Sequence, residues 1–142
     1  MVDVVNKATR SRMMAGIRAR DTKPEVFLRT SLHRMGFRYR LGGAGLPGKP
    51  DLVFRKRRIA LFVHGCFWHR HADRSCRLAR MPKSRVDFWL NKLEANRLRD
   101  TKHEQLLRKL GWRVIIIWEC ETVNAARLKS AISRKLLGHE VD

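Results

Sequence analysis

Ile59-Ala60-Leu61-Phe62-Val63 runs directly into His64-Gly65-Cys66-Phe67-Trp68-His69-Arg70-His71. The first five residues are apolar throughout, which predicts a central strand covered on both faces. The next eight show neither helical nor strand periodicity and are broken by Gly65, so a loop is expected. A buried strand would thus end in a loop carrying three histidines, a thiol and two large rings. Loops at the end of a rigid strand carry function more often than cores do.

Upstream, Gly42-Gly43-Ala44-Gly45-Leu46-Pro47-Gly48-Lys49-Pro50 interrupts regular structure, and Asp51-Leu52-Val53-Phe54 resumes it. The basic turn from Arg55 to Arg58 joins that segment to Ile59–Val63, so the two are expected to form a hairpin. In an antiparallel pair Asp51 and Val63-His64 lie at the same end of the sheet. A carboxylate is thereby placed beside the histidine loop.

Further upstream, Thr22-Lys23-Pro24-Glu25 has the pattern of a capping box with proline in the first turn. It predicts a helix that presents Val26, Phe27, Leu28, Leu32 and Met35 to a core and ends at Gly36. Glu25 serves as a helix cap on this evidence as readily as it serves catalysis. Phe37, Tyr39 and Leu41 alternate with Arg38 and Arg40, the pattern of a half-exposed strand.

Downstream, the sequence from Arg70 to Arg85 is basic and irregular, consistent with a metal-bound loop. Phe88, Trp89, Leu90, Leu93, Leu98, Leu106, Leu107 and Leu110 then recur at helical spacing from about Val86 to Gly111. The exposed face of that helix is expected to carry Lys92, Asn96, Arg99 and Asp100. Trp112 and Val114-Ile115-Ile116-Ile117-Trp118 form a second buried strand, which delivers Glu119 and Cys120 to its end. A closing helix would use Ala125, Leu128, Ala131, Ile132, Leu136 and Leu137. The order is helix, three strands, long helix, strand, helix. It suits an α/β fold with a central mixed sheet and helices on both faces.

The 142 residues make one domain, 22–142, preceded by a basic arm, 1–21, in which Met14 and Ile17 stand at i, i+3 spacing. That arm is either a frayed terminus or a segment that orders on DNA. Lys plus Arg total 32 against 13 Asp plus Glu, a formal charge of +19. Such an excess calls for an anionic partner, and the nucleic-acid backbone fits best because each neutralised phosphate releases counterions. A membrane surface fits less well, since the basic residues are spread along the chain and not along one amphipathic face. No apolar run approaches the roughly 20 residues that span a bilayer. With no signal-peptide pattern, a cytoplasmic location is expected.

Cys66, His71 and Cys76 are soft and borderline ligands at short separation, the usual material of a tetrahedral zinc site. They lack a fourth ligand. Cys120 can supply it if the segment ending in Trp118-Glu119-Cys120 folds back onto the loop. Three cysteines suit reduced thiols holding a metal better than a disulfide framework. Asp51 offers a hard oxygen ligand suited to magnesium held against a phosphate. His64 and His69 can take a proton from water or give one to a leaving oxygen, or else serve as structural hydrogen-bonders. Phe67 and Trp68, poorly placed as core, are well placed as a wedge between base pairs, whereas Trp89 could equally be buried packing.

Leu46-Pro47-Gly48-Lys49-Pro50-Asp51, His64-Gly65-Cys66-Phe67-Trp68-His69, Phe88-Trp89 and Trp118-Glu119-Cys120, in this order and spacing, resemble the very short patch repair (Vsr) endonucleases. Ala8-Thr9-Arg10-Ser11 and Arg20-Asp21-Thr22 with Glu25 resemble the start of that family, so the match runs nearly end to end. The resemblance implies a restriction-endonuclease-like fold with a structural zinc. It also implies magnesium-dependent nicking of duplex DNA on the 5′ side of the thymine in a T:G mismatch, the product of 5-methylcytosine deamination.

Asp51 and the main-chain carbonyl of Val63 would then hold magnesium, and His69 would activate the attacking water. His64, Glu25 and Asp100 would support it. Zinc would fall to Cys66, His71, Cys76 and Cys120. Phe67, Trp68 and Trp89 match the family's intercalating aromatics, Met14 and Ile17 its groove-gripping segment, and Lys92 and Asn96 the positions that read the mismatched pair. The four residues between His71 and Cys76 depart from a fixed ligand spacing, which makes Asp73 a spare candidate. Val63-His64-Gly65 stands where nucleases of this fold often have Glu-x-Lys, shifting the base role from lysine to histidine.

The family is expected to work near mismatch-repair proteins and a cytosine methyltransferase, in the cytoplasm of a bacterium and on its nucleoid. A monomer suits a single-strand nick. Two alternatives use the same residues: a restriction-type endonuclease that cuts a matched site, and a zinc-stabilised DNA-binding module without catalysis. On any of the three, affinity for duplex DNA falls steeply with added salt, as binding titrations across ionic strength would show; a flat response would remove the polycation argument.

Overall fold

The computed structural model describes residues 22–43, 45–73 and 75–138. The basic arm, with Met14 and Ile17, lies outside the described residues. Four strands form one sheet in the order β1-β2-β3-β4: β1 (Arg40–Leu41), β2 (Leu52–Phe54), β3 (Ile59–His64) and β4 (Arg113–Trp118). β1, β2 and β3 pair antiparallel in sequence, while β4 pairs parallel to β3. The expected mixed sheet and the β2–β3 hairpin are both present.

The strand β3 is buried along almost its whole length. Its side chains alternate between two cores, as the two-residue period requires. Ile59 and Leu61, with Ile115 and Ile117 of β4, pack against helix α1 (Lys23–Arg34) and helix α3 (Ala125–Ile132). Ala60 and Phe62, with Val114 and Ile116, face the other way toward Leu107 of helix α2 (Val86–Lys109). Helices therefore cover both faces.

Several local expectations change. α1 starts at the expected place, yet Thr22 makes no side-chain cap bond; its carbonyl accepts from the Val26 N–H at 2.9 Å, and Pro24 pre-sets the first turn. Val26 points outward, 42% exposed, while Leu28 and Leu32 are fully buried. The strand expected from Phe37 shrinks to Arg40–Leu41, with Leu41 exposed. Phe37 and Tyr39 reach the core by edge contacts to Phe54 and not through a ladder.

The long helix α2 meets the core along a narrow stripe. Only Leu93 and Leu107 are buried on it, and Phe88, Leu90, Leu98, Leu106 and Leu110, expected in the core, are exposed. Lys92, Asn96 and Asp100, expected on the solvent face, are instead partly buried. Helical geometry explains the shift: positions 93, 96, 100 and 107 share one side at three- and four-residue steps. Gly36 and Gly111, both at φ 91°, end α1 and α2 in the left-handed conformation that glycine tolerates best. α3 continues from Ser133 to Leu137 as a π-turn, which brings Leu136 into the core.

Leu61 is central and fully buried, whereas Leu98 is 64% exposed. Leu61→Ala is expected to lower unfolding stability by about 3 kcal/mol. Leu98→Ala should change it by less than about 0.5 kcal/mol in the same urea titration.

Candidate active site and metal centre

Antiparallel pairing of β2 with β3 brings Asp51 to the end of β3. The backbone N–H of Asp51 donates to the Leu61 carbonyl at 3.0 Å, and the Val63 N–H donates to Asp51 Oδ2 at 2.7 Å. The chain reaches this point by a close approach at Gly43, where an added Cβ would lie 2.6 Å from Pro50 Cδ. Only glycine fits there.

Asp51 opens into a cleft of about 1310 Å³ that it shares with Glu25, His64, His69 and Asp100. Burial pushes the Asp51 carboxyl up from 3.8 to about 6; the Val63 N–H opposes that shift and the negative Glu25 adds to it. Two carboxylates facing one cleft disfavour joint ionisation unless a cation sits with them.

Beside them, the His64 and His69 rings stack at 3.9 Å and 9°. His69 Nδ1 lies 2.5 Å from Asp100 Oδ2. A carboxylate accepting from Nδ1–H selects the tautomer whose Nε2 carries the lone pair. Burial and the neighbouring His69 push the His64 pKa down to about 3, so at neutral pH its imidazole is uncharged. These three residues form a compact group, with Asp51 outside it.

The histidine loop is wound tightly. The His69, Arg70 and His71 N–H groups donate to the Gly65, Phe67 and Cys66 carbonyls at 3.1, 3.3 and 2.9 Å. Arg70 adopts φ 49°, a conformation that costs a non-glycine residue about 1 kcal/mol or more. Helix α2 fastens the loop from outside: Asn96 Nδ2 donates to the Trp68 carbonyl at 3.2 Å, and Glu94 pairs with Arg70 at 3.2 Å. Phe67, Trp68 and Trp89 make one edge-packed cluster with centroids 5.1–5.9 Å apart. All three rings are partly exposed, as is Lys92.

On the other side of the loop, Cys66, His71, Cys76 and Cys120 converge, their donor atoms all within 4.8 Å of one another. The group could hold a metal ion. Cys66 is buried, its Sγ accepts from the Cys120 N–H at 3.3 Å, and Cys120 Sγ lies 3.5 Å from His71 Nδ1. Burial pushes Cys66 and Cys120 above the ordinary thiol range, and the neighbouring Cys76 adds to both shifts. A bound dication would reverse that by stabilising the thiolates. The spare candidate Asp73 is not in that group; its carboxylate accepts from the Ser75 N–H and hydroxyl at 2.9 and 2.7 Å.

Sequence reasoning placed Glu119 at the end of the last strand without giving it a role, and overlooked Glu121. Glu119 Oε1 accepts from the Cys66 N–H at 3.4 Å. Glu121, 9% exposed, is paired with Lys135 at 2.6 Å and Arg134 at 2.9 Å. A carboxylate on each side of Cys120 was the available signal, but their partners lie on other elements.

The family model described as DNA mismatch endonuclease Vsr matches residues 2–76. The type II nicking enzyme V.XorIIP of Xanthomonas oryzae is 45% identical over 132 residues, 93% of this chain and 95% of that protein. The type II nicking enzyme V.NmeAIP of Neisseria meningitidis is 43% identical, covering 94% of each. The DNA mismatch endonuclease Vsr of Escherichia coli is 46% identical over 84% of this chain and 75% of its own length. DNA endonuclease is the class these likenesses define. The chain belongs to the Vsr family of DNA mismatch endonucleases. Among the described residues no helix is long and apolar enough to cross a membrane.

The raised Asp51 pKa has a consequence for stability. A carboxyl whose folded pKa lies above its unfolded value stabilises the fold fully below about 4 and loses that contribution as pH rises through about 6. Asp51→Asn can still accept from the Val63 N–H and does not ionise. In divalent-free buffer it is therefore expected to raise stability at pH 8 by about 1–2 kcal/mol, and by nearly nothing at pH 4, in paired thermal melts.

Proposed function

We propose that the protein is a strand-specific nickase of duplex DNA that acts on the 5′ side of the thymine in a T:G mismatch. The observation that carries this reading is the single cleft in which Asp51 and Glu25 meet the stacked His64 and His69, with Asp100 behind His69. The wedge-like aromatics Phe67 and Trp68 sit on the same short loop. In this assignment the chain has the restriction-endonuclease-like fold, with 22–142 as endonuclease domain and 1–21 as an arm that grips DNA through Met14 and Ile17.

Asp51 and the Val63 carbonyl would hold magnesium, which the paired carboxylates of the cleft favour. When bound, the ion supplies Lewis-acid stabilisation of the phosphoryl oxygens. His69, its Nδ1 engaged by Asp100, takes the proton of the attacking water at Nε2. His64 orients it, and Glu25 and Asp100 balance charge around it. Phe67, Trp68 and Trp89 enter the base stack at the mismatch, and Lys92 and Asn96 read the mismatched pair.

Cys66, His71, Cys76 and Cys120 hold zinc as a structural ion. Their chemistry supports this. A tetrahedral edge between a sulfur at about 2.3 Å and a nitrogen at about 2.0 Å from zinc is about 3.5 Å, and Cys120 Sγ and His71 Nδ1 are 3.5 Å apart. In this reading the enzyme works as a monomer in the cytoplasm, on the nucleoid and near mismatch-repair proteins.

A restriction-type enzyme cutting a matched site is the second reading, kept because two relatives that match over most of this chain are described as type II nicking enzymes, a description that names no mismatch. Strand-labelled duplexes carrying one T:G mismatch or its matched control, in varied flanking sequence, separate the two. With magnesium, a nick beside the mismatched thymine is expected for wild type, and a loss of at least about 100-fold for Asp51→Ala. Cleavage of the matched control at equal rate would move the assignment to a restriction-type enzyme. Binding without cleavage in every context would move it to a non-catalytic module.

A further inference from the structure

The two centres are joined through one ring. Trp118 ends β4 opposite its register partner His64 at the end of β3. Its indole stacks on the His71 imidazole at 4.1 Å and 14°. The same indole meets His64 edge-on at 5.3 Å and 77°, and His64 in turn stacks on His69. A contiguous run of rings thus leads from the cysteine–histidine cluster to the histidine that bonds Asp100.

His64 is held in an unusual way. It is 6% exposed, yet its Nδ1 has no hydrogen-bond partner among the described residues. Most buried polar atoms are oriented by such a bond. Here the surrounding rings do it: Phe62 at 5.7 Å, His69 and Trp118. The terminal torsion of an imidazole is broad, so its plane is set by packing when no hydrogen bond sets it.

Trp118 is the member of this cage that belongs neither to β3 nor to the histidine loop. Its own position is fixed from behind. The Trp118 backbone N–H donates to Glu121 Oε1 at 2.9 Å, and that carboxylate is locked by Lys135 and Arg134. Lys135 also donates to the Ile116 carbonyl at 2.7 Å, tying the C-terminal π-turn to the same strand.

We propose that Trp118 is a positioning residue for the nicking reaction. Its indole, held between His71 and His64, sets the plane of the His64 ring, and through the stack it joins the Asp100 bond in setting that of His69. Order at the metal-holding cluster is thereby passed to the proton-accepting histidine. The inference rests on the roles given to His64 and His69 under the proposed function. A phenyl ring at 118 keeps an aromatic edge against His64, whereas a leucine removes it.

The test compares metal-replete full-length Trp118→Phe and Trp118→Leu with wild type, using magnesium and the T:G duplex. Metal content and thermal midpoint are measured on the same samples. Trp118→Leu is expected to lower kcat about 10- to 100-fold with KM within about twofold and metal retained. Trp118→Phe should stay within about threefold of wild type.

Histidine-labelled NMR supplies a readout independent of nicking. Trp118→Leu should shift the His69 ring signals, one ring removed from the indole, and Trp118→Phe should leave them near their wild-type positions. Wild-type kcat in metal-replete Trp118→Leu would overturn the proposal, as would a rate loss that only follows lost metal or lost fold. Unmoved His69 signals would overturn it whatever the nicking assay gives. A His69→Ala control separates the two ideas: wild-type nicking there would sink the role given to His69, while the ring-positioning claim still stands or falls on the NMR.

Discussion

Parallel pairing of β3 with β4 is the constraint on which the rest of the molecule depends. The ladder runs from Ile59 opposite Arg113 to His64 opposite Trp118. Because both strands run the same way, the segments leaving their C-terminal ends emerge side by side. Residues 65–71 and 119–122 therefore meet, although about fifty residues of chain separate Cys66 from Cys120. Parallel strands require a long crossover, and α2 supplies it. Sites at the carboxyl ends of strands are the general outcome of that topology.

The antiparallel hairpin adds the other half of the site. β2 returns Asp51 to the end of β3, and the Val63 N–H anchors its carboxylate. That anchor is weaker than the opposing burial, which is why the carboxyl is raised and not lowered. The fold thus holds an acid where ionisation is disfavoured, a local instability that a cation would remove. His64 shows the same tension: it is buried and stacked on a second imidazole, and it is kept neutral. Core residues such as Leu61 and Ile117 carry the stability that these groups withhold.

Helix α2 both packs on the core and holds the histidine loop. Leu93 and Leu107 seat it, and Asn96, Glu94 and Asp100 reach the histidine loop at the Trp68 carbonyl, Arg70 and His69. Its remaining leucines are left outside. A helix committed to holding a loop cannot turn its apolar side fully toward the sheet, since helical residues three and four apart share one face. The long helix is thus more anchor than core.

Much of this was legible in the residues themselves. The unbroken apolar run Ile59–Val63, the glycines at 36 and 111, and the basic turn before Ile59 determined the strand, the helix ends and the hairpin, because periodicity and backbone preference act locally. The types and spacing of Cys66, His71 and Cys76 also marked a loop that could hold a metal, and Asp51 lay near it by hairpin geometry alone. Tertiary structure decided what depends on contacts between distant segments. It turned Asp100 and Asn96 inward, left Leu98 and Leu110 outside, paired Glu121 with Lys135, and set Trp118 between His71 and His64. Which side of a helix is covered, and which ring meets which, follow from packing of whole elements against one another, and a linear pattern of residue types does not specify that packing.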